Sequence, residues 1–288
     1  MRNASPLRYP GGKWRLASFF ERLIALNFDR PPIYVEPYAG GASLALSLLL
    51  SGRVSEVFLN DLDPAIHAFW HSVLKHTSSF IRLLITTPVT PSEWRRQKKI
   101  YAEGLTVGKL KLGFATFFLN RTNHSGILNG GMIGGKDQSS NWKIDARFNR
   151  VELAWRIKNI AHCRDRIHLS NRDAAEFLSD HNRSKSRMIY LDPPYYCSGQ
   201  RLYLNAYRPE DHAQVRNKVL RLRCQWVVSY DDVPEIRDLY ATQRSRRVNL
   251  LHTARTAHQG KEVMFFSPEL SIPTLRRSGS SCFRPTLR

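Results

Sequence analysis

With 288 residues, 42% of them hydrophobic and 11% aromatic, the chain can bury a substantial core and reads as globular rather than disordered. Forty-four Lys and Arg against 24 Asp and Glu leave a formal net charge of +20, which favours a polyanionic partner, nucleic acid first. Cys163, Cys197, Cys224 and Cys282 show no CxxC pair or Cys/His ligand spacing, so neither a metal site nor a disulfide framework is expected. The opening MRNASPLRYPGGK has no apolar leader, and the longest apolar patch, residues 42–50, is too short to span a bilayer; a cytoplasmic protein without a membrane partner is expected.

In chain order, IYVE (residues 33–36) is a short β-prone run followed by the glycine turn PYAGGAS, and residues 44–50 read as a helix stopped near Gly52. A second strand, EVFL (56–59), ends in NDLD. Pro64 then opens a helix running from Ala65 towards Lys75. This βαβα alternation predicts an α/β fold with a mostly parallel sheet. From residue 71 to 158 the alternation gives way to helical stretches and the glycine-rich run NGGMIGGKDQSSNW, read as flexible. That insertion holds 15 Lys and Arg against 5 Asp and Glu, a net +10 and half of the chain's excess. Strands then resume at RIHL (166–169) and MIYL (188–191), with a helix near residues 174–178 between them. A helix over 209–223 precedes strand QWVVS (225–229), and residues 246–251 with 262–266 form a closing antiparallel pair. The expected organisation is a catalytic domain of residues 1–70 and 159–266, a mainly helical insertion of 71–158, and a loosely ordered basic tail of 267–288.

Ligands of open α/β sheets bind outside the carboxyl ends of the strands, where a glycine turn lets backbone amides come close. Gly40 and Gly41 occupy that place after the first strand. Asp61 ends the second, 20 positions after Gly41, and has the placement of an acid that accepts from ribose hydroxyls. The turn is neither GxGxxG nor a Walker loop, so an adenosine-containing ligand is indicated rather than a dinucleotide or a triphosphate.

LDPPY (191–195) closes the strand MIYL. The prolines hold Asp192 extended at the strand end and turn its carboxylate to the cleft. A nucleobase amine is a poor nucleophile because its lone pair is delocalised into the ring. Two acceptors at its N–H groups oppose that delocalisation, and Asp192 with the Pro193 carbonyl can be those acceptors. Pro194 stiffens the turn, and Tyr195 offers an aromatic face for an extruded base.

LRYPGGK, EPYAGGAS, FLNDLD and LDPPY, in this order along the chain, resemble the Dam-like (D12 class) adenine-specific DNA methyltransferases over about residues 6–266. The resemblance implies a Rossmann-like core, S-adenosylmethionine as methyl donor, no metal, double-stranded DNA as partner, and the insertion as target-recognition domain. It also implies cofactor contacts from Tyr9, Lys13, Glu36, Tyr38 and Gly40, a ribose contact from Asp61, an adenine-side contact from Asp173, and Asp192 between the two ligands. FFLNRTNHSGI (117–127) is similar to the family's LNR segment and puts Asn120 and Arg121 forward as DNA-binding residues. Tyr9 stands where many relatives have Trp, and the glycine-rich run of the insertion departs from the usual recognition hairpin. Other planar NH2 acceptors (RNA adenine, cytosine N4, protein glutamine) and a catalytically silent DNA-binding relative remain the alternatives at this stage.

Overall fold

A computed structural model describes residues 4–8, 13–182, 184–197, 207–252 and 258–274. Seven strands make one sheet: β1 Ile33–Glu36, β2 Glu56–Asn60, β3 Ile167–Ser170, β4 Arg187–Leu191, β5 Gln225–Asp231, β6 Arg244–His252 and β7 His258–Phe266. Their spatial order is β3-β2-β1-β4-β5-β7-β6, parallel through β5, with β7 antiparallel to both β5 and β6. The parallel sheet and its antiparallel closing pair are therefore as the alternation of elements predicts. Strand order reverses between β1 and β4, and the crevice at their carboxyl ends is where such sheets bind ligands.

Both faces of the sheet are covered, so the strands are near-continuous apolar runs whose side chains alternate between two cores. Tyr34, Met188 and Tyr190 join one apolar cluster with α1 (Ala17–Asn27), α2 (Ser43–Leu50) and α3 (Pro64–Lys75). Val35, Ile189 and Leu191 point the other way, against α8 (Ala174–His181), α9 (Pro209–Leu220) and α10 (Pro234–Leu239). Helix α1 carries no glycine or proline signal of its own. It forms because Phe19, Phe20, Leu23 and Ile24 repeat at helical spacing and bury completely or nearly so.

Four further helices follow the second strand: α4 (Thr77–Thr86), α5 (Pro91–Glu103), α6 (Lys109–Thr122) and α7 (Arg150–His162). Residue 71 falls inside α3 rather than at a break. Phe69 of α3 lies parallel to Phe117 of α6, with ring centroids 6.0 Å apart, and Phe80 packs edge-on against both. These rings belong to the same cluster as Leu44 and Leu48 of α2, so apolar packing runs unbroken from the sheet into the insertion. The helix starts obey local chemistry: Asp63, Thr90 and Asn149 each accept a backbone N–H of the helix that follows.

Two sequence expectations change here. The glycine-rich run is clipped into a hydrogen-bonded loop by Gln138, whose amide donates to the Ile133 and Gly135 carbonyls and accepts from Ile144 N–H. The tail does not loosen at residue 267. Leu270 is fully buried, Ser271 exchanges hydrogen bonds with Asn27, and Arg244 donates to the carbonyls of Ser267, Pro268 and Leu270. Composition suggested a tail; one buried leucine and a carbonyl-binding arginine hold residues 267–274 to the body. Residues 275–288 lie outside the described set.

Candidate active site

The chain segments leaving β1, β2, β3 and β4 meet at one edge of the sheet. After β1 come Glu36, Tyr38 and Gly40. Gly40 takes a φ of 45°, in the left-handed region that suits glycine, and its carbonyl accepts from the Trp70 indole at 2.9 Å. After β2, Asp61 accepts the Gly40 N–H on Oδ2 at 2.8 Å and the Asp63 N–H on Oδ1 at 2.9 Å. Even with these two donors, burial pushes its carboxyl up to about 7. After β3, Asp173 caps α8 by accepting from Ala175 and Glu176 N–H.

Asn60 joins three of these segments. Its side-chain amide donates to the carbonyls of Pro37 and Arg172, its oxygen accepts from Arg172 N–H, and its backbone carbonyl accepts from Ala39 N–H. It is 1% exposed and holds the ends of β1, β2 and β3 in one frame.

Asp192 follows β4. Its Oδ2 lies 2.9 Å from Lys13 Nζ, and its Oδ1 accepts from Ser229 Oγ at 2.8 Å; Ser229 in turn is 2.7 Å from the Tyr190 hydroxyl. Lys13 also sits 3.2 Å from Glu262 Oε1 and donates to the Tyr195 hydroxyl at 2.9 Å, while that hydroxyl donates to the same Glu262 oxygen at 2.5 Å. One buried ammonium thus lies between two carboxylates and a phenol. Burial raises the Asp192 carboxyl above its ordinary range, Lys13 pulls it back, and Glu262 pushes it up again. Glu36 is raised well above the carboxylate range, first by burial and then by Asp192, with Lys13 opposing.

Lys13, Glu36, Tyr38, Gly40, Asp61, Asp173, Asp192, Pro193, Pro194 and Tyr195 are therefore gathered along this edge, on segments far apart in sequence. Tyr9 lies outside the described residues. Tyr195 is only 9% exposed, with its hydroxyl turned inward to Lys13 and Glu262 rather than its ring standing free. Asn120 sits elsewhere, 1% exposed at the end of α6. Its amide accepts from Arg8 N–H and donates to the Arg8 and Gly126 carbonyls, so its hydrogen-bonding groups are occupied by backbone. Gly126 has a φ of 78°, and a Cβ there would stand 2.3 Å from the Arg8 carbonyl oxygen, so the approach needs glycine. Arg121 donates to the Arg147 and Pro6 carbonyls, and burial followed by the nearby Arg8 and Arg156 lowers it to about 9.

Glu262, Ser229 and Asn60 carry no candidate role in the sequence reading. Glu262 left one trace, a single acid directly ahead of the apolar run VMFF, and Ser229 is a polar residue within WVVSY. Tyr207 is a fourth, its hydroxyl 3.0 Å from that of Tyr38. Among the described residues, no group of three or more His, Cys, Asp or Glu could hold a metal ion, and no helix is long and apolar enough to cross a membrane.

Strand order and the acidic, glycine-containing edge define a Rossmann-like fold of the S-adenosylmethionine-dependent methyltransferase kind. Residues 9–256 match the D12 class N6 adenine-specific DNA methyltransferases, and the chain belongs to that family. Among solved structures, the chain is similar to the Pyrococcus horikoshii protein PH1948, provisionally described as an RNA methyltransferase, at 9% identity over 88% of this chain and 83% of that one, with a TM-score of 0.43. The rRNA methyltransferase aviRa of Streptomyces viridochromogenes is 15% identical over 90% of this chain and 85% of that one, with a TM-score of 0.41. SMU.472, provisionally described as a methyltransferase and solved with SAH, is 13% identical over 90% of this chain and 53% of that one, with a TM-score of 0.38. No curated protein sequence matched the chain.

The residues present fit the methyl donor of such enzymes. Glu36 Oε2 is buried and has no hydrogen-bond partner among the described residues, and Glu36, Asp61 and Asp192 converge electrostatically with Lys13 as the opposing cation. A ligand bearing an ammonium and a sulfonium meets that excess of carboxylates.

Proposed function

We propose that the protein transfers a methyl group from S-adenosylmethionine to the N6 amine of an adenine extruded from double-stranded DNA. The observation that carries this reading is Asp192: a half-buried carboxylate at the β1/β4 crevice, held by Lys13 and Ser229 at the head of Pro193-Pro194-Tyr195. S-adenosylmethionine supplies an electrophilic methyl on a sulfonium. Glu36 receives the donor's ammonium, Asp61 its ribose hydroxyls, and Gly40 lets its chain pass close to backbone. Asp173 borders its adenine, Tyr38 lines its methionine side with Glu36, and Lys13 contacts it beside Asp192. Asp192 and the Pro193 carbonyl accept the two N6 hydrogens, which returns lone-pair density to nitrogen, and Tyr195 borders the base.

The DNA side of the reading is supported by family membership and by charge. Arg8, Arg147 and Arg156 lie within electrostatic range of Arg121 near residues 5–8, and among the described residues the carboxylate paired with one of them is Glu152, on Arg156. Such a set favours a phosphate backbone over water. Arg121 is the member that carries the sequence-based assignment, with Asn120 acting through the Arg8 segment it clamps. A cytoplasmic location goes with a DNA substrate. Expression in a host free of DNA methylation, followed by sequencing that detects modified adenine, tests the reading: N6-methyladenine at a fixed short sequence is expected, and unmodified DNA beside folded, cofactor-binding protein contradicts it.

Two outcomes follow for the cofactor pocket. Both Asp61 oxygens already accept a backbone N–H, so a proton can only take a lone pair meant for a ribose hydroxyl. With the carboxyl at about 7, the donor's Kd measured by calorimetry should rise roughly tenfold between pH 8 and pH 6, and Asp61→Asn should flatten that profile. For folding the sign is opposite: a carboxyl raised from 3.8 to about 7 disfavours the folded chain increasingly as pH climbs across that window. Asn60→Ala releases the Pro37 and Arg172 carbonyls together, and should weaken cofactor binding about tenfold or more with a smaller loss in kcat.

A further inference from the structure

The tetrapeptide Asp192-Pro193-Pro194-Tyr195 is fixed at its front by β4 and by Ser229, and the prolines set two of its φ angles. Nothing in those constraints sets where the chain goes after Pro194. Directly behind it, the backbone N–H groups of Tyr196 and Cys197 donate to Oδ1 and Oδ2 of Asp231, each at 2.9 Å. A single carboxylate captures two consecutive amides, a charge-assisted arrangement about twice as strong as neutral hydrogen bonds.

Asp231 is the last residue of β5 and stands opposite Glu262 in the β5/β7 register. Opposed residues of an antiparallel pair project to the same face, about 4.5–5.5 Å apart at Cβ. One rung of the sheet therefore holds three successive residues: Glu262 takes the Tyr195 hydroxyl, and Asp231 takes the next two amides. The neighbouring Asp232 is an ordinary structural acid, paired with Arg237 and Arg247. Among the described residues Asp231 pairs with no Lys or Arg, so its charge is directed at this backbone.

From this we infer that Asp231 is a positioning residue for methyl transfer: by fixing Tyr196 and Cys197 it sets the place of the Pro193 carbonyl beside Asp192 relative to the incoming amine. The inference rests on the role given to Asp192 above. Asparagine at 231 keeps one acceptor oxygen but turns an NH2 towards the second amide, and alanine loses both acceptors. The activity should fall in that order.

The test is kinetic, on the full chain, with wild type, Asp231→Asn and Asp231→Ala. Single-turnover rate, kcat, KM for each substrate, cofactor Kd by calorimetry and melting temperature are measured for each. A displacement of about 1 Å at a reacting centre costs on the order of 100-fold, so Asp231→Ala should lose about that in single-turnover rate and Asp231→Asn about tenfold, with cofactor Kd within about threefold in both. An unchanged rate overturns the inference, and so does a rate that falls only in step with cofactor affinity and melting temperature. If wild type methylates a planar NH2 other than adenine N6, the functional reading fails by itself, and the same ordering measured on that acceptor decides Asp231 separately.

Discussion

Asp192→Ala is expected to lower the rate of methyl transfer by at least about 10³-fold while leaving cofactor binding within about threefold of wild type. The first half follows from chemistry. The amine must keep electron density on nitrogen as it attacks, with its hydrogens held by acceptors, and a preorganised acceptor in a water-poor cleft is worth several kcal/mol to that step. The second half follows from what surrounds the carboxylate. Removing it leaves Lys13 paired with Glu262, and leaves Ser229 Oγ beside the Tyr190 hydroxyl, so no charge is stranded and the fold should survive. Asp192→Asn keeps the shape but must put its NH2 against either the Lys13 ammonium or the Ser229 hydroxyl, both donors now. It should be no more than about tenfold better than alanine. The check is single-turnover transfer beside calorimetric cofactor binding, and turnover retained by Asp192→Ala would remove the residue from the chemistry.

Lys13→Met is expected to cost about 3–5 kcal/mol of stability and to move activity to higher pH. The ammonium side chain is 6% exposed and faces Asp192 and Glu262, whose side chains are 21% and 2% exposed. Taking away the cation strands buried carboxylates, the costly half of any buried ion pair. In a chain of this size such a loss lowers the melting temperature by roughly 10 °C. Since Lys13 is what pulls the Asp192 carboxyl down against burial and Glu262, its removal raises that carboxyl further, and the protonated, non-accepting form dominates to higher pH. The rising limb of the pH–rate profile should therefore shift upward. Lys13→Met combined with Glu262→Gln should recover part of the stability, because one stranded charge is gone. A melting temperature unchanged in Lys13→Met would show that the three groups do not act as a set.

The parts of this molecule that were legible in its sequence are those where local pattern and chemistry coincide. Parallel strands buried on both faces read as apolar runs, and ligand-binding residues follow them immediately, so Glu36, Gly40, Asp61, Asp173 and Asp192 each stood at the end of a recognisable strand. The closing pair, β6 and β7, was visible for the same reason. What the chain did not display are pairings made across long separations. Glu262 meets Lys13 and Tyr195 only because β7 folds back beside β5, and before folding it looks like one acid in a strand. Asn120 drew attention as a polar residue at a helix end, and its amide is taken up by the Arg8 backbone, 112 residues away in the chain. Composition misled at residue 267, where a Ser/Pro/Arg-rich stretch begins with a segment pinned by Leu270 and Arg244. The insertion's charge was countable at once, whereas its continuity with the main core depends on Phe69, Phe80 and Phe117 meeting in space.

The central claim is the identity of the accepting atom. Incubating the protein with methyl-labelled S-adenosylmethionine and matched duplex DNA and RNA, digesting each to nucleosides and separating them, measures it most directly. Label is expected on N6-methyldeoxyadenosine from the duplex DNA and is expected to be absent with Asp192→Ala; label confined to RNA nucleosides or to N4-methyldeoxycytidine would rule out adenine N6 as the acceptor.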